Sequence, residues 1–357
     1  MEKKSPDEDP RTDGDAERAR QRRSAKPALT ARQLAALIGV SQSTISRAFS
    51  KDASISPSTR SFVLEAAERH GYRPNAIASF LSRRSSGIVG LVTADFSSPV
   101  YIDLLDRLSV RMQGLDIHPL LFNLPAGADA GDQLDVLRQY GIETVIVISG
   151  RISHASVARW AADGRTVILI NRDITDLEIA SVRCDNSASW QVADHLYGIG
   201  LRRVAFVGGP KGTTVSDERE AAFVRRVAEL GMRLCAQGGG KEYTHLAGYE
   251  SALSVLRHEP EAIFFANDRL AIGGIDALAW SSGLSVPGDV SIVGFDDIDM
   301  ADWPGIQLTT VRNDVPAIVD AAIELLQNQM LGQDGARKVL VPGDLVVRRT
   351  TGPMRPR

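Results

Sequence analysis

The chain has 357 residues, 43% of them apolar and 24% charged, and a formal net charge of −3. That length points to two or three domains, and the balance gives ample material for globular cores. No apolar run approaches the roughly 18 residues of a membrane span, and two cysteines, Cys184 and Cys235, cannot make a multi-bridge framework. A membrane-spanning chain and a disulfide-stapled secreted scaffold are therefore excluded, and the two thiols fit a reducing compartment.

The charge is unevenly placed. Residues 28–86 carry eight Lys and Arg against three Asp and Glu, whereas residues 87–357 carry 25 against 34. A basic N-terminal part ahead of an acidic remainder is what an electrostatic DNA footprint requires, although a modest local excess is also common on neutral surfaces.

In chain order, residues 1–27 are charged and almost devoid of large apolar side chains. They cannot offset their ordering entropy by burial, which predicts a disordered tail, and they contain no secretory h-region. Arg18, Arg20, Arg22 and Arg23 are expected to be solvated, with DNA phosphate contact as the alternative. Residues 28–74 then show three short helices. Leu34, Ala35 and Ile38 form an apolar stripe and Gly39 stops the first helix. Ser41 is a suitable N-cap for a second helix carrying Ile45 and Phe49. Ser56-Pro57 repeats the signal for a third with Val63, Ala66 and Ala67 inside, ended at Gly71-Tyr72-Arg73-Pro74. Two helices joined by a turn around Gly39 describe a helix-turn-helix unit.

From 87 to 357 the texture changes. Apolar runs at Ile88–Val92, Val145–Ile148, Val167–Ile170, Val204–Val207, Ile263–Phe265 and Val290–Phe295 alternate with helical patterns such as Tyr101–Met112, Trp190–Tyr197 and Glu220–Leu230. That alternation predicts an α/β body of parallel sheets covered on both faces. Its size suggests two lobes, with a ligand cleft between them at the carboxyl ends of the strands.

Val40 to Phe49, Ser56 to Arg60 and Gly71 to Leu81 together resemble the N-terminal signature of the LacI/GalR family of bacterial transcription regulators. The resemblance continues through Ile88–Val92, Pro99-Val100-Tyr101, Phe265–Asp268, Val286–Asp297 and Leu308–Val311. It implies a regulator, a repressor by family habit, with a periplasmic-binding-protein-like sensor body. The expected partners are double-stranded operator DNA, a sugar or other metabolite as effector, and a second copy of the chain; the expected place is the bacterial cytoplasm, at the nucleoid. No cofactor or metal is called for.

The residue chemistry agrees. Gln42 suits adenine and Arg47 suits guanine, and with Ser43 they match the family's base-reading positions. The hydroxyls of Thr30, Ser41, Thr44, Ser46 and Thr59 suit phosphate, although capping explains Ser41 and Ser56 equally well. Tyr72 and Asn75 are further DNA candidates. The resemblance also implies a hinge over residues 75–86, in which Leu81 wedges into a minor-groove step with Ala78 packed beside it. The family's usual acidic residue near the first helix is absent here, its Asn after the second helix is Ser50, and a common hinge Arg or Gln is Ser79.

For the effector, the resemblance marks Asp95, Val100, Tyr101, Asn171, Arg172, Arg219, Tyr243, Asn267 and Asp268. Carboxylates that accept hydroxyl hydrogens, a guanidinium fork and aromatic faces suit a polyhydroxylated ligand. Asp268 and Arg219 are the foremost candidates. Gly208–Thr214 follows a strand like a phosphate cradle but lacks the P-loop spacing, and reads as a cleft-edge loop. The acidic group Asp296, Asp297, Asp299 and Asp302 has no companion histidine or nucleophile pattern, so the chain is not read as an enzyme. Two rivals remain at this point: a periplasmic-type sugar carrier, disfavoured by the basic head, and a sugar-metabolising enzyme with a regulatory head. Residues 351–357 lack the apolar heptads that assemble tetramers, so a dimer is expected.

Overall fold

The computed structural model describes residues 29–50, 54–74, 87–93, 95–124, 130–148, 152–174, 176–211, 214–240, 242–333 and 337–354. The charged tail and the hinge candidates Asn75, Ala78, Ser79 and Leu81 lie outside them. The chain falls into two units, Met1–Arg84 and Ser85–Arg357.

The first unit is built from α1 (Ala31–Ile38), α2 (Gln42–Phe49) and α3 (Pro57–Arg69). Each begins with a side-chain cap that satisfies an otherwise orphaned amide. Thr30 and Gln33 form a reciprocal capping box on α1. Ser41 accepts from the Thr44 amide at 3.1 Å, and Ser56 from the Thr59 amide at 3.1 Å with Pro57 in the first turn. Gly39 closes α1 at φ 72°, a left-handed conformation that costs glycine nothing, and so sets the turn into α2. Leu34, Ala35, Ile45, Ala48, Val63, Ala67 and Tyr72 make one small core, with Phe49 edge-on to Tyr72 at 5.7 Å.

The second unit contains two six-stranded sheets. The first lobe comprises β1 (Ile88–Thr93), α4 (Pro99–Gly114), β2 (His118–Asn123), α5 (Ala130–Gln139), β3 (Thr144–Ile148), α6 (His154–Ala162), β4 (Thr166–Ile170) and β5 (Ala180–Cys184). The second comprises α7 (Trp190–Gly198), β6 (Arg203–Gly208), α8 (Thr214–Glu229), β7 (Arg233–Gly239), α9 (His245–Leu256), β8 (Ala262–Phe265), α10 (Asp268–Asp276), β9 (Ser291–Asp296) and β10 (Thr309–Asn313). The chain then returns through α11 (Val315–Met330) and β11 (Lys338–Val341) to the first lobe and ends with β12 (Gly343–Val346) in the second.

Strand order is β11-β5-β4-β3-β1-β2 in the first sheet and β12-β10-β9-β8-β6-β7 in the second. Every pairing is parallel except β10 with β12. The chain therefore passes between lobes three times: at 185–189, at 313–314 and at Pro342. The passages are tied together. The Asp185 amide donates to the Val341 carbonyl at 2.8 Å, and Gln191 on α7 bonds the backbone of Gly343 and Leu345.

All six apolar runs read from the sequence lie on β1, β3, β4, β6, β8 and β9, the central strands. Buried on both faces, they need continuous apolar sequence. The sequence reading gave no strand at β2, β5, β7, β10, β11 or β12, which sit toward the edges or mix Ser, Thr and Arg into short runs. The helical pattern Glu220–Leu230 belongs to α8, which starts six residues earlier. Phe206, Phe223 and Phe264, mutually 5.0–6.2 Å apart, fill the core between β6, β8 and α8.

Candidate functional site: a reading helix and an interlobe cleft

In the head, α2 buries Ile45 and Ala48 and turns Gln42, Ser43, Ser46 and Arg47 outward. The sequence candidates for base reading, Gln42 and Ser43 in the first turn and Arg47 in the last, are therefore all exposed on a helix anchored from behind. The hydroxyls are already engaged: Ser41 Oγ lies 2.7 Å from Ser43 Oγ and 2.8 Å from Thr44 Oγ1, and Ser56 Oγ 2.7 Å from Thr59 Oγ1. Thr30 and Ser41 are caps first, and exposed enough to meet a phosphate second. Tyr72 packs its ring in the core, and burial raises its phenol pKa. One residue had no assigned role in the sequence reading. Arg60 on α3 donates to the carbonyls of Ala48 (3.3 Å) and Ser50 (2.8 Å), holding the carboxyl end of α2.

In the body, the electrostatic centre is Arg219 on α8, 4% exposed. Its Nε donates to Asn186 Oδ1 at 2.9 Å, Nη1 to the Ala266 carbonyl at 2.6 Å, and Nη2 to Asp296 Oδ1 at 3.0 Å. The guanidinium face lies 3.5 Å over the Phe295 ring. Asp296 is the last residue of β9, and its neighbour Asn313 on β10 also donates to it. Burial pushes the Asp296 carboxyl up despite the attached guanidinium. Asn313 Oδ1, itself buried, has no hydrogen-bond partner among the described residues.

Around this pair the two lobes meet. Tyr101, from α4 of the first lobe, has its phenol pushed up first by burial, then by Tyr243, Asp296 and Asp95, with Arg219 opposing. Asp95, Arg219 and Tyr243, all candidates from the sequence, thus act electrostatically on the Tyr101 phenol. Tyr243 is seated on Gly209: a Cβ there would lie 2.2 Å from Cε1 of the ring, so glycine is needed for close approach. The cleft-edge loop thus serves as the seat of an aromatic side chain. Cys184, at the end of β5, borders the same group, and its thiol is pushed up to about 12, chiefly by burial.

Other candidates take different places. Asp268, a foremost candidate, is fully buried: Oδ2 accepts from the Ile298 amide at 2.9 Å and Oδ1 from the Thr310 hydroxyl at 2.5 Å. It pins the loop after β9 to β10, with Asp296 as its strongest charged influence. A Cβ on Gly294 would come within 2.2 Å of its Oδ1, so β9 is closed over it. Asn267 caps α10 by accepting from the Leu270 amide at 2.9 Å, and Val100 is core. Asn171, at φ 60°, and Arg172, its pKa lowered by burial, follow directly on β4.

Three of the four carboxylates in the acidic run that could suggest catalysis, Asp296, Asp297 and Asp302, are held in ion pairs, and Asp299 accepts from the Trp303 indole. Asp296 holds Arg219, while Asp297 binds Arg312 (2.8 Å) and Arg348 (2.7 Å). The site residues missed by sequence reading are thus Asp296, Asn186 and Asn313. Their one available signal was position, at the carboxyl end of a buried strand and at two of the lobe passages.

Residues 30–75 match the family model for bacterial regulatory proteins of the lacI family, and residues 193–351 that for a periplasmic binding protein-like domain. The transcriptional regulator MalR of Streptomyces coelicolor is 31% identical over 336 residues, covering 89% of this chain and 95% of that protein. The chain belongs to the LacI family. The repressor CytR of Escherichia coli is another relative, 26% identical over 91% of this chain and 96% of its own. In three dimensions, a lac repressor dimer bound to operator and an anti-inducer superposes with a TM-score of 0.83 at 22% identity, covering 91% of this chain and 99% of that one. This LacI-family chain is thus a helix-turn-helix transcriptional regulator on a lac-repressor-like fold, and not an enzyme.

Proposed function

We propose that this regulator binds a two-fold symmetric operator as a dimer, reading bases with Gln42, Ser43 and Arg47, and that a small polyhydroxylated effector in the interlobe cleft changes its operator affinity. The observation that carries the reading is the outward face of α2, whose polar residues are left exposed while its apolar residues anchor it. Bidentate pairing by Gln and Arg supplies base discrimination, and Ser46 and Thr30 add phosphate contacts. The division into tail (1–27), head (28–74), hinge (75–86) and body belongs to the same proposal, as does minor-groove insertion of Leu81 beside Ala78, with Asn75 at the start of the hinge.

A second copy of the chain is supported by the exposed apolar side chains of the body. Edge strand β2 exposes Leu120 and Leu121, and the second lobe exposes Leu246 and Trp280. Isologous pairing presents two heads to two half-sites one helical turn apart. In the cleft, Asp95, Asp296 and the phenols of Tyr101 and Tyr243 offer acceptors and aromatic faces to hydroxyl groups. Arg219, already neutralised by Asp296, favours an uncharged ligand. No helix among the described residues is long and apolar enough to cross a membrane, and repression in the cytoplasm is the setting the reading requires.

Coupling between sites must be reciprocal. Operator affinity titrated with and without members of a neutral sugar panel, cellobiose among them, should change for at least one sugar, and operator should change that sugar's affinity by the same factor. Unchanged affinities across the panel would remove the allosteric reading, and a monomer or tetramer by light scattering would remove the dimer.

A further inference from the structure

We propose that Ser97 and Arg269 form a latch between the two lobes of the body, and that Asp95, inside the candidate effector site, sets its strength. The inference rests on the reading of the cleft as the effector site and adds how occupancy reaches the lobe angle.

Ser97 lies in the loop between β1 and α4 of the first lobe, and Arg269 in the first turn of α10 of the second. Arg269 Nη1 donates to the Ser97 carbonyl at 3.0 Å and to Ser97 Oγ at 3.1 Å. Ser97 is itself held by Asp95, whose Oδ1 accepts from the Ser97 amide at 2.8 Å and from its hydroxyl at 2.6 Å. A carboxylate has no proton to give, so the single hydroxyl hydrogen of Ser97 goes to Asp95 and its lone pairs face Arg269. A hydroxyl that donates to an anion is a stronger acceptor, and the chain Asp95–Ser97–Arg269 is therefore cooperative.

Three properties follow. Among the described residues the covalent ties between lobes are the passages at 185–189, 313–314 and 342, so contacts at the cleft mouth bear on the lobe angle. Arg269 directly follows Asp268, which is pinned by Ile298 and Thr310, so the donor end of the latch stands on a rigid base. The acceptor end stands on the same carboxylate that would accept an effector hydroxyl. An effector that engages Asp95 draws charge from Ser97 and loosens the latch while its own contacts bridge the lobes. Closure thus passes from the latch to the ligand.

Spin labels on Arg159→Cys in α6 and Arg225→Cys in α8, both exposed positions, read the interlobe distance by pulsed electron resonance without ligand or DNA. Full-length labelled chain is diluted into excess unlabelled chain so that distances within one protomer dominate. Arg269→Ala should raise the open, longer-distance population roughly 2- to 5-fold, the scale of an exposed charge-assisted contact. Arg269→Lys, which keeps a donor, should restore most of the parent distribution. Asp95→Asn should open the lobes less than Arg269→Ala, and adding it to Arg269→Ala should change nothing further. A distribution unchanged in both Arg269→Ala and Arg269→Gln overturns the latch. Additive effects of the Asp95 and Arg269 changes overturn the control by Asp95. Because no ligand enters, these outcomes are separate from failure of the sugar panel.

Discussion

The head and the body put function in opposite places. In the head the functional face is outside, on one eight-residue helix, and its side chains owe the fold almost nothing. In the body the functional groups are buried, drawn from α4, α8, β9, β10 and the passage at 186, and bonded to one another. A substitution in the first region is expected to change recognition and spare stability. In the second it changes both, because the polar groups of the site also hold the lobes.

One of the two largest effects that sharpen this contrast lies in the core of the head. Ile45→Ala removes a fully buried side chain from a core of only seven buried residues, a loss of about 2–5 kcal/mol. Calorimetry should show the head transition falling or vanishing while that of the body holds its temperature. Loss of both together would mean the two units do not unfold separately.

Next is Arg219→Ala, which strands the Asp296 carboxyl in the interior at a cost of about 3–5 kcal/mol. Denaturant unfolding should show the body destabilised and, in the double variant with Asp296→Asn, partly restored. An Arg219→Ala body as stable as the parent would break the claim that the site is also structural.

Asp268 gives a pH signature confined to the body. Its carboxyl is pushed well above the ordinary value, chiefly by burial, so the folded body binds its proton more tightly than the unfolded chain. The contribution is most favourable below about pH 4, the ordinary aspartate value, and is lost as pH rises toward the raised native value. Asp268→Asn should flatten that part of the stability curve; an identical slope in the variant would show that another group carries it.

The smallest effect is local. Ser41→Ala deletes the cap of α2 and should cost about 1 kcal/mol, seen in the head transition alone.

The same contrast explains what the sequence could reveal. The three helices of the head carry local signals: Ser41 and Ser56-Pro57 start helices, Gly39 ends one, and the apolar spacing points Gln42 and Arg47 outward. The central strands were legible because burial on both faces writes continuous apolar runs. The site of the body was legible only in part. Arg219, Tyr101, Tyr243 and Asp95 were named as candidates by the family resemblance, but the Asp296 partner looked like one acid among four. Asp268 looked like a ligand group, although Thr310, 42 residues away, and the Ile298 amide occupy both its oxygens. Pairings between distant segments leave no periodicity, and neither does Gly209 as the seat of Tyr243.

The central claim is that the outward face of α2 reads bases. Selection of bound duplexes from a random pool by the full-length protein, repeated with Arg47→Ala and Gln42→Ala, tests it most directly. The parent should enrich a two-fold symmetric site. Each variant should relax the preference at one position of the half-site and lose about 1–3 kcal/mol of discrimination there. Enrichment of the same site by parent and both variants, or of none by the parent, would contradict it.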